Sequence, residues 1–295
     1  TDMGQGAHTV LPQIAADALG LPVDWVSCDV PDTALVPDSG PTVASRTTMI
    51  LGSVMERCAE SLKKRFFEFV SQSKNICTDH LRIFGGDVFS GEVLVDSFAT
   101  LANECLRERG PLTVMERYQL PSWIKWDADK HEGDAYPCFS WSADVVEVSV
   151  DSQTFEVTVD KFTTAVDVGK AINPNLLLGN IEGGQLQALG WALMEDSPYK
   201  NGRPVCDRLQ TYIIPTIKDT PEWHTMIVEE PFSYGPRGAK GVGELPVDGG
   251  APAIANAIEN ALGVRITEIP ITAEKLLRKQ LSIASTDNNQ LSIGC

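Results

Sequence analysis

The sequence is poor in positive charge: 24 Lys and Arg stand against 40 Asp and Glu, for a formal net charge of −16. That balance excludes the broad basic footprint required by nucleic acid or an anionic lipid surface. Apolar runs such as Ala188 to Met194 stop far short of the roughly 18 residues of a membrane span. A soluble chain with neither partner is expected. The cysteines Cys28, Cys58, Cys77, Cys105, Cys138, Cys206 and Cys295 are odd in number and widely spaced. No disulfide framework and no zinc or iron–sulfur ligand pattern can be read from them. They read as reduced thiols, mostly buried, which fits a cytoplasmic setting.

Several catalytic signatures are missing too. His8, His80, His131 and His224 lack the paired helical spacing of a zinc protease. No phosphate loop ending in Gly-Lys-Ser/Thr, no Gly-x-Gly-x-x-Gly after a strand and no Gly-x-Ser-x-Gly elbow occurs. A basic, apolar leader is absent, and the opening Thr1-Asp2-Met3-Gly4 reads as part of a longer polypeptide.

What is present is a globular composition, 43% hydrophobic over 295 residues. Chains of this length bury roughly three quarters of their unfolded surface, in one large core or two lobes. Met3-Gly4-Gln5-Gly6 leads into a helical pattern closed by Gly20, with Pro12 tolerable in a first turn. A short strand is expected over 23–30, a loop over 31–41, and a long helix over 46–70 with Ile50, Val54, Cys58, Leu62, Phe66 and Val70 on one face. Gly85-Gly86-Asp87 predicts a hairpin turn and 96–109 a surface helix. Alternating valines around Asp151-Ser152-Gln153-Thr154 predict a second hairpin continuing over 162–168, followed by a helix after Asn173-Pro174 that runs to Leu193. A helix over 251–262 capped by Gly263, a strand over 264–271, a short helix over 273–279 and a frayed polar end complete the outline. The expected fold class is α+β: two similar lobes of mixed sheet with packed helices, divided at 1–135 and 136–282, with a polar tail at 283–295.

Three segments combine glycine with polar groups beyond what core packing demands. Met3-Gly4-Gln5-Gly6 permits close backbone approach, and open N–H groups at the following helix start would suit an anion; a plain turn is the alternative. Pro41 to Thr48 sets hydroxyls and Arg46 at a loop–helix junction, as simple caps or as an anion cradle. Arg237 to Pro246 places Glu244 among glycines, as a solvated surface acid or as a working base.

In this order the segments resemble the C-terminal half of the molybdenum-binding portion of the xanthine dehydrogenase/aldehyde oxidase family of molybdenum hydroxylases. The likeness rests on Met-Gly-Gln-Gly at 3–6, the loop from Asp32-Thr33 to Ala44-Ser45, Asp167-Val168-Gly169 with Ile172-Asn173-Pro174, Ile181-Glu182-Gly183-Gly184 with Gln187, and Lys240-Gly241-Val242-Gly243-Glu244. It implies a molybdenum centre held by a pyranopterin dithiolene, as mononucleotide or dinucleotide. Met3, Gly4, Gln5 and Gly6 would lie beside it, Ala44, Ser45, Arg46 and Thr47 would hold the pterin and its phosphate, and Val242 would stand in the third segment. Asn180 falls where several relatives carry a pterin-contacting Gln, one methylene longer. Glu244 matches the catalytic glutamate, a general base in an otherwise uncharged pocket, and no side chain is implied as a metal ligand.

The implied reaction delivers a water-derived oxygen to an electrophilic carbon of an N-heteroaromatic, purine- or nicotinate-like substrate, or of an aldehyde. Iron–sulfur clusters and FAD are expected on partner chains or domains, and the N-terminal half of the molybdenum portion as the complement of the site. The isolated chain should then be apo and inactive. Two other classes compete: a noncatalytic interaction module that has lost the cofactor, and hydrolysis by Glu244 with Asp248, which lacks any oxyanion device.

Overall fold

The computed structural model describes residues 1–291 of the chain, with side chains described through residue 282. The chain divides into two compact units. The first comprises Thr1–Phe139, Val168–Leu176 and Glu229–Gly241; the second comprises Ser140–Asp167, Leu177–Val228 and the residues from Val242 onward.

In the first unit, Gly6 and Gly20 adopt left-handed conformations at the two ends of α1 (Ala7–Leu19), and Pro12 lies in its second turn. The carbonyl of Ile83 passes so close to Gly20 that a side chain there has no room. A π-helical turn, Thr47–Leu51, runs into α2 (Gly52–Lys74). The hairpin β1 (Leu81–Phe84) and β2 (Asp87–Ser90) closes through Gly85 and Gly86, both at positive φ, as a tight two-residue turn requires. With β3 (Val93–Ser97) these strands form an antiparallel sheet. The Ser97 side chain accepts from Thr100 N at 3.1 Å and so caps α3 (Phe98–Arg109). Phe66, Phe69 and Val70 of α2 pack with Leu81, Ile83, Val88, Leu101 and Cys105 as the core. The short strands β4 (Trp126–Asp127) and β5 (Glu132–Gly133) form a separate ladder.

The second unit is built on β6 (Ser142–Val150) and β7 (Val157–Asp167), an antiparallel pair whose turn is fixed by Asp151 Oδ1 accepting from the N–H groups of Gln153 and Thr154. Helix α4 (Pro174–Leu193) follows, then the small ladder of β8 (Tyr199–Lys200) with β9 (Arg203–Pro204). Strand β10 (Glu222–Val228) returns parallel to β7, giving the order β10-β7-β6. Short α5 (Leu245–Asp248), α6 (Gly250–Leu262, ended by Gly263 at φ 69) and α7 (Ala273–Leu291) complete it. Phe162, Leu189, Ile254, Ile258 and Leu276 lie in one buried cluster, with Trp223 packed against it.

Several expectations need correction. Residues 23–30 form no strand: Trp25 N donates to Pro22 O, making a 3₁₀ turn with Val23 and Trp25 exposed. Residues 264–271 form no strand either, and Pro270 has no N–H to give a ladder. The third strand of that sheet is β10, whose alternation Glu222-Trp223-His224-Thr225 lies outside the expected outline. The last helix extends well beyond residue 279. Along α2, Ala59 and Phe69 join Phe66 and Val70 in the buried set, while Val54, Cys58 and Leu62 are half-buried. The π turn carries an extra residue and shifts the helical phase of the residues before it. No disulfide joins the six described cysteines, but only Cys105 is buried; Cys28 and Cys77 are exposed because they lie outside the packed elements. Cys295 and the last four residues of the expected tail lie outside the described residues.

The first break between the units falls after Phe139, and two later segments return to the first unit. The register supplies a reason. β7 and β10 are parallel neighbours that end level, Asp167 opposite Val228, so the chain leaves both strands at the same sheet end. No helix among the described residues is long and apolar enough to cross a membrane.

Phe162 is fully buried and contacts Trp223 at a ring separation of 5.6 Å. Phe162→Ala should destabilise the second unit by about 3–5 kcal/mol, measured by urea unfolding; a loss below about 1 kcal/mol would show that this residue does not anchor the core.

Candidate cofactor-binding site

The Met3–Gly6 turn is organised by its neighbour Asp2. Its Oδ1 accepts from Gly4 N at 2.9 Å and from Gly6 N at 3.4 Å, and Oδ2 accepts from His8 N at 2.9 Å. The bond from His8, then that from Gly4, holds the Asp2 carboxyl below its ordinary range. The anion expected at the start of α1 is therefore supplied by the chain itself, a correction that follows from a residue no sequence motif singles out. Gln5 braces the same turn: Oε1 accepts from Met3 N at 2.7 Å and Nε2 donates to Thr1 O at 2.8 Å. Met3 is exposed and Gln5 half-buried.

The second segment carries backbone strain. Ala44 and Ser45 both have φ 52, a left-handed conformation that costs a residue with a Cβ on the order of 1–3 kcal/mol. Arg46 Nη1 donates to Ser39 O at 3.1 Å and Pro41 O at 2.9 Å, so this end of the guanidinium ties its own loop instead of standing open to a ligand. The π turn that follows presents Thr47 and Thr48, both half-buried, with no side-chain cap at its start. A π-helical turn is rare and is found frequently at functional sites.

The third segment is brought against the second. A Cβ at Gly241 would collide with Ser45 O, so only glycine permits that approach. The preceding residues are tightly folded: Phe232 N donates to Gly238 O and Lys240 N to Val168 O, each at 3.0 Å. Arg237, at φ 53, pairs with Asp17 and with Glu56. Glu229 closes the clamp at the other end, accepting from Lys170 Nζ at 2.8 Å and Ala171 N at 2.9 Å. The Lys170 bond is the larger cause holding the Glu229 carboxyl below its ordinary range.

Val242 is buried, while Glu244 caps α5 and is exposed. The described residues thus do not enclose Glu244 in the uncharged pocket expected for a base. Asn180 lies half-buried on α4, and Gln187 is exposed. Among the described residues no group of three or more His, Cys, Asp or Glu side chains is arranged to hold a metal ion. Thr47 and Thr48 place hydroxyls just after the strained 44–45 backbone, which packs directly on Gly241, and such oxygen groups suit an organic group held by hydrogen bonds. Among the described residues, the side chains here suit an organic group held by hydrogen bonds better than a directly ligated metal ion.

A family model described as molybdopterin cofactor-binding domain matches residues 1–221. The chain belongs to this family. Among relatives, a probable xanthine dehydrogenase subunit of Bacillus subtilis (strain 168) is 32% identical over 284 residues, covering 94% of this chain and 36% of the relative. The gamma subunit of the 6-hydroxypseudooxynicotine dehydrogenase complex of Paenarthrobacter nicotinovorans is 27% identical, with coverage of 95% and 35%. The crystal structure of quinoline 2-oxidoreductase from Pseudomonas putida 86 superposes with a TM-score of 0.80 at 26% identity, covering 95% of this chain and 36% of that one. This molybdopterin cofactor-binding chain is therefore placed with the xanthine dehydrogenase/aldehyde oxidoreductase group of molybdenum hydroxylases. It spans about a third of the length of the relatives it matches.

The clamp at Glu229 has a pH signature. A depressed carboxyl adds stability that is present above its unfolded value of 4.5 and lost as pH falls through the lower folded value. Lys170→Met should flatten the fall in stability of the first unit between about pH 5 and about pH 3, followed by thermal unfolding. Identical pH slopes in variant and wild type would remove Lys170 from the clamp.

Proposed function

We propose that this chain supplies part of the molybdopterin site of a molybdenum hydroxylase, and that Glu244 is its general base. The observation that carries the reading is the approach of Ser45 to Gly241, which sets the strained pterin-loop candidate against the segment that leads to Glu244. Ala44, Ser45, Arg46 and Thr47 would hold the pterin and its phosphate through backbone N–H groups and hydroxyls, and Met3, Gly4, Gln5 and Gly6 would lie beside the metal. Val242 and Asn180 would complete the contacts made by this chain. When bound, the molybdenum–pterin group supplies the two-electron redox capacity and makes water acidic enough to be used near neutral pH.

The protein's part is to orient and to accept a proton. Glu244 begins α5 and is exposed; in this reading its carboxylate oxygen takes a proton from a water-derived nucleophile as that oxygen is committed to the substrate carbon. General-base help of this kind is worth about 10²–10⁴-fold. The enclosure that such a base needs is absent from the described residues, so we assign it to the remaining two thirds of the relatives' length, within the same polypeptide or on a companion subunit. Iron–sulfur and flavin groups, in this reading, also belong there.

An N-heteroaromatic substrate is favoured over an aldehyde, because quinoline and xanthine, which give two of the relatives their names, are nitrogen heterocycles. In the assembled oxidoreductase, Glu244→Gln should leave molybdenum content near normal and lower turnover by about 10²–10⁴-fold; unaltered turnover would remove Glu244 from the base role. Gln5→Ala should lower both metal content and rate, since Gln5 braces the turn it would offer to the cofactor. A variant with normal molybdenum and normal rate would refute that contact.

A further inference from the structure

A half-buried acid outside the candidate site, Asp144, lies against the segment that follows Glu244. Asp144 on β6 and Thr164 on β7 are directly paired across the sheet, and the Thr164 hydroxyl donates to the Asp144 carboxyl. The second carboxyl oxygen, Oδ2, occupies the place where a side chain at Gly249 would begin. Gly249 has φ −84, which any L-residue adopts, so the absence of a side chain there answers to Asp144 and not to the backbone. Gly249 is also the residue that opens α6, where the helix dipole favours an anion.

The other end of the same short stretch is held from α4. A Cβ at Gly184 would come within 2.8 Å of Pro246 Cβ, so Pro246 packs directly on the helix backbone. Gln185, the next residue of α4, is fully buried and faces the Asp144 carboxyl. Burial pushes the Asp144 carboxyl up, and the hydrogen bonds from Thr164 and then from Gln185 oppose that shift.

We infer that Asp144 is a positioning residue for Glu244, fixing Gly249 from the sheet side while Gly184 admits Pro246 on the helix side, so that residues 245–249 are anchored at both ends. The inference rests on the reading of Glu244 as the base. Thr164 is part of the anchor, because its hydroxyl keeps the Asp144 carboxyl directed along the sheet.

Hydrogen exchange read by mass spectrometry on the 295-residue chain tests the anchor without any cofactor. Asp144→Ala should speed exchange over residues 245–249 by about tenfold and leave the β6–β7 ladder protected; Asp144→Asn, which keeps an oxygen and the volume, should restore protection. Gly249→Ala should loosen the same stretch in the wild-type background and much less in an Asp144→Ala background, where the clashing carboxyl is gone. Unchanged exchange in Asp144→Ala, or equal loosening across the whole second unit, would overturn the inference. In the assembled oxidoreductase, Asp144→Ala should lower kcat by about 10–100-fold with KM unchanged, the mark of a misplaced base. Local loosening combined with full turnover in Glu244→Gln would leave the anchor standing and overturn the base assignment instead.

Discussion

Where β7 and β10 end, Asp167 and Val228 stand opposite each other in a parallel register, and the chain leaves both strands at one sheet end. Residues 168–172 and 229–241 consequently run together. Lys240 N bonds to Val168 O, and Glu229 binds both Lys170 and the Ala171 amide. This lateral tie delivers Gly241 to the Ser45 carbonyl. Without the parallel pair, the two glycine-rich segments would have no shared point of departure, and the pterin-loop candidate would have nothing to close against.

The price of that closure is local strain. Ala44, Ser45 and Arg237 all adopt left-handed conformations although each carries a Cβ. They are held there by surroundings that over-determine them: Arg46 tied to the carbonyls of its own loop, Arg237 paired with Asp17 and Glu56, and glycine at 238 and 241 where backbones meet.

Much of the fold is legible from local signals. Gly20 and Gly263 end their helices as left-handed caps, Gly85-Gly86 turns the first hairpin, and Asp151 fixes the second. These effects act within a few residues and leave a mark in the sequence. The expected strands at 23–30 and 264–271 do not form because β-type composition says nothing about whether a partner strand is available, and β10 escapes notice for the same reason in reverse. Of the candidate site, the order of the motifs is readable, but the work of Asp2, Glu229 and Asp144 is not. Asp2 acts through three backbone N–H groups that look open in the sequence, and Asp144 acts on Gly249 from more than a hundred residues away.

The central claim is that this chain holds molybdenum through a pterin and not through its own side chains. The direct measurement is elemental analysis combined with pterin release on the protein purified with whatever companions accompany it from its source. The account predicts molybdenum and pterin in equal amounts, both lost together when the Ser45–Gly241 contact is blocked by Gly241→Ala. Molybdenum retained without pterin, or an active oxidoreductase containing neither, would contradict it.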